Sequence, residues 1–127
     1  MKIAIAHVMV DDQKKALHFY TEVLGFIKKR DIPMGEHSWL TVVSPQEPDG
    51  TELLLEPMGF EPARVFQKAL FDAGIPATMF KVEDIQEEYR RLQGRGVEFK
   101  IPPTQMGPST IATFADGCGN YLQIFQV

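Results

Sequence analysis

The chain has 127 residues, 44% of them hydrophobic and 24% charged, enough for one core or for two small modules sharing one, so a single domain is expected. With 13 basic against 17 acidic residues, a net charge of -4 and no basic cluster, the composition argues against nucleic acid and anionic membrane surfaces as partners. No apolar run approaches the ~20 residues of a membrane helix, and the lone Cys118 leaves no disulfide within the chain, which fits a reducing, cytoplasmic setting.

The opening MKIAIAHVMVDD alternates, lacks a small-residue cleavage site and runs into two aspartates, so it reads as a first strand and not as a signal peptide. Ile3, Ile5, His7 and Met9 fall on one face, with Ala4, Ala6, Val8 and Val10 on the other. A helix follows, capped by Asp11 or Asp12, with Ala16, Phe19, Tyr20, Val23 and Leu24 at helical spacing and Gly25 as its stop. Three strands are expected next, near Ile27 to Asp31, Trp39 to Val43 and Thr51 to Glu56. EPARVFQKALFDAG predicts a linking helix over 61–74, with Pro62 in its first turn, Val65, Phe66, Ala69 and Leu70 on one face and Gly74 as terminator.

The pattern then repeats. Val10-Asp11-Asp12 returns as Val82-Glu83-Asp84 and Met34-Gly35 as Met106-Gly107, both 72 residues on, while Gly25 returns as Gly96 after 71. The second helix carries an Asp84-x-x-Glu87 capping box and a stripe of Ile85, Tyr89 and Leu92, with Gly94 or Gly96 as its stop. Its strands are expected near Glu98 to Ile101, Ser109 to Phe114 and Tyr121 to Val127, and the 71-residue offset lays Glu52 over Gln123. The fold class is therefore α+β: two βαβββ modules, 1–57 and 75–127, whose curved mixed sheets form a cup.

FYTEVLGF, VEDIQEEYRRLQGRGVEF and the closing ATFADGCGNYLQIFQV together resemble the vicinal oxygen chelate superfamily, which includes glyoxalase I, bleomycin and fosfomycin resistance proteins, methylmalonyl-CoA epimerase and extradiol dioxygenases. The likeness covers nearly the whole chain, although the usual Asp-Pro-Asp-Gly-Asn ending is here Asp116-Gly117-Cys118-Gly119-Asn120. Metal enzymes of the superfamily place one ligand on the first and one on the last strand of each module. Carried onto this chain, those positions are Ile5, Glu52, Ala77 and Gln123. Two are aliphatic, so the resemblance does not bring a metal site with it, and no cofactor is expected. His7 shares a face with Ile5 but lies two residues on, roughly 6.6 Å, too far for a metal bond of about 2 Å unless the whole site moves. His18 is expected on the exposed side of the first helix and His37 in a loop.

The cup lining follows by parity. It comprises Ile5, His7 and Met9; Glu52, Leu54 and Glu56; Ala77, Met79 and Lys81; and Tyr121, Gln123 and Phe125, with Trp39 as a further candidate. Such a wall suits a small aromatic or otherwise apolar organic molecule. Glu52 is the best candidate for a catalytic group, because a carboxylate facing a cup needs a partner or a proton. Lys81 or His7 would supply a partner; a cationic or hydroxylated ligand, or a raised pKa, are the alternatives. Three functions stay open: a metal-free small-molecule binder, as the drug-sequestering resistance proteins are; a metal-dependent lyase, isomerase or dioxygenase with His7, Glu52 and Gln123 as displaced ligands; and an interaction module with a filled cup. The resemblance also implies a homodimer.

Overall fold

A computed structural model describes residues 1–127. The chain divides into two compact units, Met1–Phe66 and Gln67–Val127. In the first, β1 (Ile5–Val10), α1 (Gln13–His18), β2 (Ile27–Met34), β3 (His37–Val43) and β4 (Glu52–Pro57) build a four-stranded sheet in the order β1-β4-β3-β2, with β1 parallel to β4. In the second, β5 (Thr78–Lys81), α3 (Ile85–Gly94), β6 (Phe99–Met106), β7 (Ser109–Ala115) and β8 (Tyr121–Gln126) repeat that order as β5-β8-β7-β6. The expected βαβββ unit is present twice. His37, expected in a loop, opens β3.

Local chemistry fixes both helix starts. Asp12 accepts from the Lys15 amide at 3.0 Å and Asp84 from the Glu87 amide at 3.1 Å, each in extended conformation, so both are N-caps. Glutamine then ties helix to sheet. Gln13 Nε2 donates to the Ser38 and Leu55 carbonyls, while Gln126 Oε1 accepts from the Ile85 amide. The first helix does not continue as an α-helix to Gly25. After His18 it widens into a π-helical turn, Phe19–Val23, in which the Leu24 amide bonds the Phe19 carbonyl five residues back and Thr21 Oγ1 donates to the Leu17 carbonyl.

One face of each sheet is covered by its own helix. In the first unit Val8, Val10, Leu40, Val42 and Leu55 meet Ala16 and Tyr20, all buried; in the second Ala112, Phe114, Leu122 and Ile124 meet Ile85, Leu92 and Val97. Gly35 and Gly107, both at positive φ, occupy the first central position of two-residue hairpins joining β2 to β3 and β6 to β7. This is the primed-turn geometry that glycine allows, and it explains why Met-Gly recurs. Pro33, Pro102 and Pro103 sit on the edge strands β2 and β6, where a missing amide is tolerated.

Register corrects one expectation. Thr41 and Thr113 each lie four residues past a hairpin; Thr41 pairs with Leu54, and Thr113 with Gln123. Leu54, and not Glu52, is thus the counterpart of Gln123, and Glu52 corresponds to Tyr121. The cause is loop length. The connection 44–51 is eight residues and 116–120 is five, so the true offset in the last strands is three below 72, not one.

The linking helix α2 (Glu61–Asp72) ends before Gly74, at φ 72°. Its expected packing face is not the one used: Val65, Phe66 and Ala69 are exposed. Gln67 and Phe71 make its contacts within the second unit, Gln67 Nε2 donating to the Cys118 carbonyl and Asn120 Oδ1, and the Phe71 ring stacking on Tyr121 at 4.3 Å.

Candidate functional site

The sheet face turned away from each helix, here called the distal face, carries the residues expected to line a site. On the first sheet, Ile5 pairs with Glu52, His7 with Leu54 and Met9 with Glu56. Trp39, whose parity was open, pairs with Ile32 two residues before Thr41 and so shares the distal face, half-buried. On the second sheet, Met79 pairs with Gln123 and Lys81 with Phe125. Met79 and Lys81 are exposed, whereas Gln123 and Phe125 are half-buried. Tyr121 is committed elsewhere: it lies between the Phe71 ring and the Lys100 ammonium, which stands 4.7 Å from its centroid.

Glu52 has partners that were not foreseen. Thr41 Oγ1 donates to Oε1 at 2.7 Å, and Arg30 Nε donates to the same carboxylate at 3.1 and 3.3 Å. Neither Lys81 nor His7 fills that role. The side chain is 13% exposed. The Thr41 hydroxyl, with Arg30 behind it and against the opposing pull of burial, holds the Glu52 carboxyl below the ordinary glutamate value. That direction is the reverse of a base with a raised pKa. His7, expected on the cup lining, is 58% exposed and directs Nδ1 at Glu56 Oε2, 2.6 Å away.

Sequence reasoning missed Arg30. Its signal lies in a β-bulge: Lys28 pairs with Val42 and Arg30 with Thr41, so strict alternation fails at Lys29 and the Arg30 side chain turns to the distal face. Around the Arg30–Glu52–Thr41 triad stand Ile5, Ile27 and Ile32, all exposed. Its counterparts in the second sheet are Ile101, Tyr121 and Thr113, and the buried Thr113 hydroxyl has no hydrogen-bond partner.

The donor set does not suit a metal ion. Glu52 is engaged by Arg30 and Thr41, His7 is turned to Glu56, and no group of three His, Cys, Asp or Glu side chains is placed to hold a cation. A separate cavity of about 450 Å³ opens beside the start of α1 and the β2–β3 turn. Four acids line its wall: Asp11 pairs with Lys15, Asp12 is the helix cap and Asp31 stands 4.0 Å from Lys28, while Glu36 belongs to the β2–β3 turn.

Comparison with known proteins agrees with the fold. Residues 2–124 match the model of the Glyoxalase/Bleomycin resistance protein/Dioxygenase superfamily. The Bacillus subtilis (strain 168) protein YurT is 57% identical over 126 residues, covering 99% of each chain. Among solved structures, UcmS2 is 32% identical with a TM-score of 0.84, covering 98% of this chain and 97% of its own. TnmS3, an antibiotic binding protein from Streptomyces sp. CB03234, is 27% identical with a TM-score of 0.79, covering 99% and 95%.

Proposed function

This chain belongs to the Glyoxalase/Bleomycin resistance protein/Dioxygenase superfamily, and we propose that it is a metal-free, cytoplasmic member that binds a small aromatic or otherwise apolar organic molecule. The observation that carries this reading is the distal face of the first sheet, where hydrocarbon and the Trp39 indole surround a single polar triad, Arg30–Glu52–Thr41. An apolar wall with few oriented polar groups gains most from a planar guest, through burial and stacking. The likeness to an antibiotic binding protein supports an antibiotic-like ligand. Trp39, Leu54, Met9 and His7 are the proposed contacts on the first sheet, and Met79, Lys81, Gln123 and Phe125 occupy the equivalent face of the second.

We further propose a homodimer. Ile5, Ile32 and Met34 on the first distal face, and separately Met79 and Met106 on the second sheet, are exposed apolar side chains that a partner copy would cover.

Native mass spectrometry of gently purified protein, followed by a thermal-shift screen of aromatic antibiotics, tests the binding reading. A ligand at about 100 times its Kd stabilises by about 2.7 kcal/mol, several degrees in Tm. A broad panel with no stabiliser refutes the reading. Stoichiometric zinc, nickel, manganese or iron that is lost on Glu52→Gln refutes its metal-free part.

A further inference from the structure

We infer that Arg30 is an anion-recognition point on the distal face of the first sheet, so that the preferred guest is an aromatic acid, a sulfonate, carboxylate or phenolate, and not a neutral ring. This rests on the binding function proposed above and adds a ligand class to it.

A guanidinium has five N–H donors in a rigid plane. Arg30 spends only Nε, on Glu52, and its terminal nitrogens have no protein partner although half the side chain is in solvent. The group is also held in place. Glu52 is nearly buried and itself anchored by the fully buried Thr41, so the arginine does not sweep freely as a surface cation would, and less entropy is lost when it meets a ligand. Its surroundings select the rest of the guest. Ile32 is two residues along the same strand, paired with Trp39, and Ile5 pairs with Glu52, so an anion docked on the free guanidinium edge places its own ring over hydrocarbon. The ion pair with Glu52 is neutral as a unit; an incoming anion adds the charge-assisted bonds that the remaining donors lack. The second sheet cannot substitute, because Ile101 stands where Arg30 does.

Two fluorescent dyes that differ by one acidic group separate the claims: anilinonaphthalene sulfonate and the neutral N-phenylnaphthylamine. The native protein should bind both, the sulfonate about tenfold more tightly. Arg30→Gln should abolish that preference while leaving the neutral dye within about twofold, and Arg30→Lys should restore part of it, since charge returns without the planar fork. Circular dichroism confirms that each variant is folded. Equal binding of both dyes by the native protein, or a preference unchanged in Arg30→Gln, overturns the anion assignment alone. If neither dye binds, the apolar binding function falls and takes this inference with it.

Discussion

Thr41 and Thr113 hold the same register position in their sheets and are both fully buried, yet only the Thr41 hydroxyl has a partner. The difference traces to one residue, since the carboxylate of Glu52 is replaced by the Tyr121 ring, which turns to Phe71. A buried hydroxyl without a partner costs stability, while one bonded to a carboxylate contributes to it. Valine, close to threonine in shape, should therefore act oppositely at the two sites. Thr41→Val is expected to destabilise by about 1–2 kcal/mol, and Thr113→Val to be neutral or stabilising by up to about 1 kcal/mol. Urea denaturation measures both, and a larger loss at Thr113 than at Thr41 would contradict the asymmetry.

Glu52 should make stability depend on pH in a defined direction. Its folded-state pKa lies below the ordinary 4.5, chiefly through the Thr41 hydroxyl and then Arg30. The native state thus favours the ionised form, and the added stability is present above 4.5 and lost as pH falls through the lower folded value. Glu52→Gln removes this component. Denaturation midpoints followed from neutral to acidic pH should fall more steeply for the native protein than for the variant. Asp12, whose carboxyl is also held low by the Lys15 amide, contributes the same slope to both proteins, so the difference isolates Glu52. Parallel curves would show that the triad does not hold the carboxylate ionised.

What the sequence reveals about this chain divides by range of interaction. Caps and helix stripes are local, and Asp84, Ile85 and Leu92 could be assigned from their neighbours alone. Distal-face parity was also legible along β1, because no bulge interrupts its pairing with β4. Two features were not. The register of β4 against β8 depends on the longer loop 44–51, whose extra residues shift Glu52 away from Gln123. Arg30 was hidden by the bulge at Lys29, since an alternating reading from Ile27 sends it to the other face. Both errors concern Glu52, so its partner could not be found without the fold.

The Asp116–Asn120 turn should be the most sensitive polar position of the second unit. Asp116 is 1% exposed and accepts from the amides of Cys118 and Asn120 and from Asn120 Nδ2. Asp116→Ala strands three buried donors and should cost about 3 kcal/mol or more. Gly119→Ala should also destabilise, by about 1–3 kcal/mol, since its φ is 96° and a Cβ would come within 2.8 Å of Gln67, which is held by its bonds to this turn. Thermal unfolding of the two variants should show large losses, and unchanged midpoints would mean that the turn relaxes freely.

The proposed homodimer should be visible in mass and in concentration dependence. Sedimentation equilibrium is expected to give twice the 14.3 kDa of the chain, with Tm rising as protein concentration rises, because association stabilises the folded state by mass action. Met79→Glu probes the surface involved. Met79 is exposed on the edge strand β5 and packs under no helix, so the substitution should leave the monomer folded. Placed in an apolar contact, the new carboxylate would have to be desolvated without a partner, which is strongly unfavourable. The variant should therefore sediment near 14.3 kDa with a Tm independent of concentration. A native protein that is monomeric at every concentration rejects the dimer, and a Met79→Glu dimer as stable as the native one moves the contact away from this face.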